Sequence, residues 1–169
     1  GFVFITDDGT TTDNLASNET IPLNAWYFIT ATYDGTYKKV YANGVLKNTS
    51  GAVSNAIASN NLGLYMGKQG APSGSYFNGL IDEVRIYNRA LSAEEVANHY
   101  SFGARRLKLA TPNPKTIETG LVGFWSFDGP TIQGLYATAT DMSGNGNNGT
   151  TTSAIVGSAG IIGQAFSFP

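Results

Sequence analysis

The adjacent carboxylates Asp82-Glu83 and Glu94-Glu95 and the single histidine, His99, are the candidates from which an active site could be built. A retaining glycosidase needs two carboxyl groups about 5 Å apart, on one side of a strand or across neighbouring strands. Asp82 and Glu83 are adjacent, so on a strand they point to opposite faces. Glu94 and Glu95 lie where a helix begins, and we expect His99 to stabilise the end of that helix. With one histidine, placed on that helix, and no cysteine, we expect no Ser/His/Asp or Cys/His set and no enzymatic activity.

Asp82 is anomalous because its parity places it among apolar side chains. Leu80, Val84 and Ile86 share one parity of a period-two pattern, which predicts a strand with one face in a core. Asp82 has the same parity. A buried carboxylate needs hydrogen bonds, a cation or a raised pKa. The sequence therefore leaves two candidates for its partner, the backbone amides of a neighbouring loop or a metal ion.

Hard oxygen ligands occur at several further positions of the chain. Calcium takes six to eight such oxygens at about 2.3–2.6 Å. A structural calcium ion is therefore one hypothesis, and the alternative is that the SGNGNNG run of residues 143–149 only forms turns. The candidate ligands are Asp82, Asp128, Asp141, Asn145 and Asn147.

A strand, a turn and a short helix must position the acidic residues between Tyr76 and Tyr100. The alternation over 80–87 predicts the strand. Ser92 and Glu95 form a capping box, in which each side chain bonds the amide of the other residue. The sequence therefore predicts one short helix near residues 92–100.

Upstream of this region the sequence predicts strands joined by tight turns. Asp34-Gly35 and Asn43-Gly44 stand between apolar runs, and such dipeptides are strong hairpin signals because they tolerate positive φ. Residues 26–47 are thus predicted to form a three-stranded antiparallel meander. Further strands are predicted at residues 1–6 and 62–66, and a polar loop at 10–20.

The composition favours an all-β protein. Charged residues make up only 13% of the chain, while there are 21 glycines for turns. A net charge of −2 gives no reason to expect nucleic acid or an anionic membrane as a partner. No apolar run approaches the roughly 20 residues of a membrane helix. Because the chain begins with Gly1, we expect a processed product or a fragment.

The character of the sequence changes after Gly103. Residues 104–119 hold two prolines and four of the ten basic residues, which predicts a linker. Residues 120–169 start again with a predicted strand, LVGFW, and end with one at 165–168. We therefore divide the chain into 1–103, the linker 104–119, and 120–169.

Two sets of motifs resemble laminin G-like modules of the concanavalin A-like superfamily. WYFITATYDG, VYANG and FNGLIDEVRIYNRALSAEEV resemble the C-terminal two-thirds of such a module. GLVGFWSFDG, DMSGNGNNG and IGQAFSF resemble its N-terminal third. The resemblance implies an antiparallel, two-sheet jelly-roll sandwich with its parts in reversed order, and it implies the loop at Asp141 as a calcium candidate. It also implies sugar binding through tyrosines such as Tyr41, Tyr65 and Tyr87, although tyrosines suit β-structure in any case.

The reversed order leaves three interpretations open. In the first, the chain is part of a tandem array and contains the end of one module, a linker and the start of the next. In the second, it is a subunit completed head to tail by its neighbour. In the third, it is a circular permutant that lacks strands. In the second interpretation the aromatic residues of 120–169 form the assembly surface. These residues are Phe124, Trp125, Phe127, Phe166 and Phe168.

We expect from these features a non-catalytic extracellular module for adhesion or assembly, in a multi-module surface protein or a head-to-tail filament. The alternative is a calcium-supported carbohydrate-binding module of a larger protein. The expected partners are neighbouring copies or modules of the same protein, or cell-surface glycans or proteins. We expect neither nucleic acid binding nor membrane insertion.

Overall fold

Two compact units make up the chain in the computed structural model, which describes residues 1–53, 57–58, 63–68, 76–106, 118–128, 138–151 and 157–168. The first unit consists of Gly1–Asn61 with Arg89–Ile117, and the second of Leu62–Asn88 with Glu118–Pro169. All strand pairs between these described residues are antiparallel, and one helix accompanies them. The predicted all-β class with a single helix is confirmed.

The first unit contains the predicted meander and one hairpin that the sequence did not predict. Its elements are β1 (Val3–Asp7), β2 (Thr12–Ala16), β3 (Ile29–Tyr33), β4 (Lys38–Ala42), β5 (Val45–Thr49) and α1 (Ala93–Arg106). Strands β3, β4 and β5 are neighbours in that order. Asn43 and Gly44 both have positive φ, 51° and 77°, as the tight turn requires. The polar loop expected at residues 10–20 is wrong for Thr12–Ala16, which pairs with β1 and buries Leu15.

Strand β4 is the buried centre of the first unit. Lys38, Val40, Tyr41 and Ala42 are each at most 2% exposed. The Lys38 ammonium donates to the carbonyl of Asp13 at 2.8 Å and to the hydroxyl of Thr6 at 3.2 Å, and it lies 3.0 Å from the Asp13 carboxylate. Lys38 therefore ties the β1–β2 hairpin to β4.

The capping box of α1 forms as predicted. The amide of Ser92 donates to the Glu95 carboxylate at 2.8 Å, and the amide of Glu95 donates to the Ser92 hydroxyl at 3.1 Å. Arg89 binds both oxygens of Glu95, which lowers the pKa of that carboxyl to about 2. The helix continues to Arg106, so His99, expected near its end, lies in its middle and is buried. Residues 107–117, most of the predicted linker, lie outside the described residues.

The described residues of the second unit come from both halves of the sequence and form three small sheets. Their orders are β11-β12-β6, β7-β8 and β10-β9. The strands are β6 (Gly79–Ile81), β7 (Val84–Tyr87), β8 (Leu121–Trp125), β9 (Thr138–Ala139), β10 (Gly149–Thr150), β11 (Gly157–Ala159) and β12 (Gln164–Phe168).

Two strand predictions in this unit need correction. The single strand expected at 80–87 is divided into β6 and β7, which belong to different sheets. The strand expected at 62–66 is absent from its described residues 63–66. Instead, Lys68 and Tyr76 form an isolated bridge. Gly63 and Gly67 interrupt the apolar pattern there, and Gly67 has a positive φ of 77°, which an extended strand does not accommodate.

Aromatic residues fill the core of the second unit. Trp125, Phe127 and Phe166 are buried together with Ala139. The rings of Phe127 and Phe166 stack with centroids 4.1 Å apart. Partly buried side chains from β6 and β7 pack against this cluster. The core that positions the acidic residues is therefore supplied jointly by 79–87 and 118–168.

Candidate functional site

Asp82 and Glu83 form a corner where the chain passes from one sheet to another. Strand β6 ends at Ile81, β7 begins at Val84, and Glu83 has a φ of 54°. A non-glycine residue in this region is uncommon and often marks a turn with a structural or functional constraint. Because the strand breaks here, the simple alternation used to place Asp82 on the apolar face does not apply.

Asp82 binds the turn between β11 and β12. Its Oδ2 accepts the amides of Ile161 at 2.9 Å and Ile162 at 3.1 Å. Its Oδ1 is buried without a hydrogen-bond partner. Burial raises the pKa of Asp82 to about 6, and the charge of Glu83 acts in the same direction, against the amides of the turn. Of the two partners predicted for Asp82, the structure provides the backbone amides.

Asp128 holds the same turn from another position. Its Oδ1 accepts the amide of Gln164 at 2.7 Å. Gly160 and Gly163 let the two carboxylates approach, because a Cβ at Gly160 would lie 2.6 Å from Asp82 Oδ2 and a Cβ at Gly163 would collide with Asp128. Two predicted metal ligands thus converge on one hairpin, 79 and 36 residues away in sequence from the amides they bind.

Glu83 has its own partner at the corner. Its carboxylate lies 2.6 Å from the guanidinium of Arg85, and both side chains are largely buried. The Arg85 guanidinium lies 4.1 Å from the ring centroid of Phe124. The second oxygen of Glu83 is buried without a hydrogen-bond partner. The corner therefore carries two unpaired carboxylate oxygens, one from Asp82 and one from Glu83.

Asp141 organises the glycine-asparagine loop from within. Its Oδ1 accepts the amides of Phe124 and Ser143, and its Oδ2 accepts the amide of Asn147, each at 2.9 Å. Burial pushes the pKa of Asp141 upward, but these amides outweigh it and hold the pKa well below the usual range. These three backbone amides and the Ser143 side chain are the reason, since each favours the charged carboxylate.

The side-chain amides of Asn145 and Asn147 donate to backbone carbonyls of β8. Asn145 donates to the carbonyls of Leu121 and Val122, at 3.0 and 3.1 Å. The Asn147 side chain donates to the same Val122 carbonyl at 2.9 Å, and the backbone carbonyl of Asn147 accepts from the Trp125 indole at 3.0 Å. These hydrogen bonds fasten the turns of residues 143–149 to β8.

The candidate calcium ligands do not form one cluster. Within the described ranges, no group of three or more histidine, aspartate or glutamate residues is placed to hold a metal ion. Asp141 fits an ion poorly, because both of its oxygens already accept amides. Asp82 fits better, because its Oδ1 is a buried acceptor without a donor. A calcium ion at Asp82 stays a prediction. Asp82 Oδ1 would be one of its ligands, and the ion would neutralise the carboxylate charge.

The tyrosines predicted to bind ligands differ in exposure. Tyr41 is 2% exposed and presents no ring to a ligand, because β4 is covered on both faces. Tyr87 is partly buried in β7. Tyr65 is 47% exposed, and near it are Tyr76 at 71% and Phe77 at 49%.

The exposed rings lie on two segments, 63–68 and 76–77, that are joined by backbone pairing, and we call their exposed side chains together the aromatic edge. Lys68 joins its members, since its ammonium lies 4.5 Å from the Tyr65 ring centroid and its backbone bridges Tyr76. The amide of Phe77 donates to the carbonyl of Gly67, the residue before Lys68, at 2.9 Å. The aromatic edge consists of Leu64, Tyr65, Lys68, Tyr76 and Phe77.

The five aromatic residues predicted for assembly pack within the chain itself. Trp125, Phe127 and Phe166 are core residues, and Phe168 packs against them. Phe124 lies beneath Arg85. Their assembly role stays a prediction, but the surface that they cover is now known. It is formed by Ile81, Val84 and Ile86 of β6 and β7.

The antiparallel sheets and the one capped helix of the described residues define an all-β protein. A laminin G family model, described as the concanavalin A-like lectin/glucanases superfamily, matches residues 1–97. This is more than half of the chain, and the chain belongs to this family. The laminin G-like resemblance of the motifs is thereby confirmed.

Two individual proteins show partial similarity. The human adhesion G-protein coupled receptor D1 is 37% identical over 65 residues, which are 37% of this chain and 7% of the receptor. The chain thus spans a small part of that relative. The crystal structure of an S-layer domain-containing protein from Clostridium thermocellum, residues 221–444, aligns at 24% identity with a TM-score of 0.41. The alignment covers 53% of this chain and 45% of that one. The helix in the described part of the chain is too short and polar to cross a membrane.

Proposed function

We propose that this chain is a non-catalytic extracellular laminin G-like module, used for adhesion or assembly in a multi-module surface protein or a head-to-tail filament. The aromatic edge is the observation that carries this proposal. Its rings at Tyr65, Tyr76 and Phe77 are between 47% and 71% exposed. Clustered exposed apolar side chains mark interaction surfaces, whereas single ones are ordinary. Membership of the laminin G-like family and the similarity to an adhesion receptor support it.

The use of the carboxylates supports a binding role over a catalytic one. Asp82, Asp128 and Asp141 each accept backbone amides that define a turn. Glu83 and Glu95 pair with arginines. Glycoside cleavage requires two carboxyls free to face a substrate bond, and these five groups are engaged in holding the fold.

The proposed partners are neighbouring copies or modules of the same protein, together with cell-surface glycans or proteins. Labelled full-length chain, applied to panels of extracellular proteins, cells and glycans, tests this proposal. Replacing Tyr76 and Phe77 by serine should reduce surface binding by about tenfold or more, because exposed aromatic anchors dominate such interfaces.

The matched control is Tyr37→Ser, which removes a ring that is 43% exposed in the other unit. It should leave binding unchanged. Equal binding by the parent chain and the Tyr76→Ser/Phe77→Ser variant would refute the role of the aromatic edge.

A calcium-supported carbohydrate-binding module is the second candidate. The buried, unpaired Oδ1 of Asp82 favours it, as do exposed rings on which sugars could stack. An ion bound only by the folded state raises the melting temperature by mass action. We expect millimolar calcium to raise the melting temperature and a chelator to lower it, with Asp82→Ala abolishing both effects. A melting curve that neither reagent changes would remove calcium from the proposal.

A further inference from the structure

Strands β6 and β7 depend on the C-terminal segment for their ladders. Among the described residues, β6 pairs only with β12 and β7 pairs only with β8. Leu80 stands opposite Ser167, and Val84 stands opposite Trp125. Without residues 118–168, the segment 79–87 would have two unpaired strands and an uncovered apolar surface, which is an unstable arrangement.

The surface between these segments resembles a protein core. Trp125, Phe127 and Phe166 are at most 4% exposed, and they pack on Ile81 and Val84. Burial of large apolar side chains is the dominant favourable contribution to such a contact. These contacts have the same form whether the two segments belong to one chain or to two.

The covalent connection permits both arrangements. Helix α1 ends at Arg106 and β8 begins at Leu121. Residues 107–120 could span up to about 45–50 Å at 3.3–3.6 Å per residue. A compact unit of about 80 residues has a diameter of only about 30 Å. Neither the reach nor the chemistry confines the segment 118–168 to its own chain.

We propose that the segment 118–168 is exchanged between copies of this chain, where it pairs with residues 79–87 of a second copy in the register of β6–β12 and β7–β8. Each copy then offers one segment and accepts one, so the contact is head to tail and can close as a dimer or extend as a filament. This inference rests on the assembly part of the proposed function and names its interface.

Engineered cysteines test the exchange cleanly, because the chain has none of its own. Leu80→Cys and Ser167→Cys lie opposite each other across β6–β12, at a spacing that a disulfide spans. The two single variants are mixed, unfolded, refolded together at about 1 μM and about 100 μM, and then oxidised, since exchange is a bimolecular process that concentration favours. A disulfide between the two single variants can form only between copies.

We expect the mixture to give a covalent dimer that increases at least severalfold with concentration. The Leu80→Cys/Ser167→Cys double variant should give crosslinked monomer at the low concentration and dimers with longer chains at the high one. The control pair, Ala159→Cys/Gln164→Cys, lies opposite within one segment and should give crosslinked monomer at both.

Two crosslinking results would overturn the proposal. One is a double variant that crosslinks only within itself at both concentrations while the mixture gives no dimer. The other is a double variant that never crosslinks, because the β6–β12 pairing itself would then be wrong. Because a cysteine variant could fail to fold, light scattering also measures the mass of the unaltered chain after refolding at both concentrations. An unaltered chain that is strictly monomeric at both would refute exchange as well. Binding through the aromatic edge is measured separately, so failure of exchange leaves adhesion intact.

Discussion

Asp82→Asn should flatten the pH dependence of stability of the second unit. The pKa of Asp82 rises from 3.8 to about 6 in the folded chain, mainly because burial disfavours the charged form. The folded state therefore binds the proton more tightly than the unfolded state. The contribution of this group is fully favourable below pH 3.8, and it is lost as the pH rises through about 6.

The size of this effect follows from the pKa difference. At 1.36 kcal/mol for each pKa unit, the whole difference corresponds to about 3 kcal/mol. Because the carboxyl is only partly withdrawn from water, solvent screening reduces this to about 1–1.5 kcal/mol. About half of that appears between pH 7.5 and pH 5, so the parent chain should gain about 0.5–0.75 kcal/mol from Asp82 on acidification.

Urea unfolding at the two pH values, with a chelator present, measures the difference. The chain has two tryptophans, so a Trp26→Phe background leaves Trp125, in the core of the second unit, as the reporter. Asp82→Asn should lose the gain. Asp128→Asn, which alters a carboxylate on the same turn, should keep it. An Asp82→Asn variant with the parent's pH difference would refute the link between burial, pKa and stability.

Three further substitutions test other parts of the structure. Asp141→Ala should lower the melting temperature at pH 7, and because its pKa is depressed, the parent's advantage should fade as the pH drops below 3.8. Lys38→Met should cost about 1–3 kcal/mol in urea unfolding, because buried acceptors lose their donor; an unchanged midpoint would contradict this. Gly67→Ala should destabilise more than Gly144→Ala, since both have positive φ but only the former would place a Cβ against a ring, that of Phe168; equal thermal melts would contradict this.

Local signals predicted the elements whose hydrogen bonds join near neighbours in sequence. The capping box at Ser92 and Glu95 formed as expected, because its donors and acceptors are three residues apart. The Asn43-Gly44 turn formed because both residues tolerate positive φ. Residues without such signals were placed less well, as the unpredicted strand Thr12–Ala16 shows. This strand pairs with β1, and its Leu15 side chain is buried in a core that no local pattern specifies.

The partners of Asp82 could be predicted from the sequence in kind but not in identity. Parity singled out Asp82 as a carboxylate that needs a partner, and backbone amides were one of the two partners considered. Its actual donors, Ile161 and Ile162, are about 80 residues away in sequence. Asp141, in contrast, finds its loop donors at Ser143 and Asn147 within six residues, and the turn-rich composition already indicated them.

The sequence by itself determined the strand periodicity, the tight turns, the helix cap and the family, because each depends on residue types within a short window. The tertiary structure decided which strands meet: β6 with β12 and β7 with β8. It also decided that Lys38 is fully buried and that Asp82 keeps one oxygen unpaired. These outcomes depend on how distant segments share one core, and the free energy of that packing is not encoded in any local pattern.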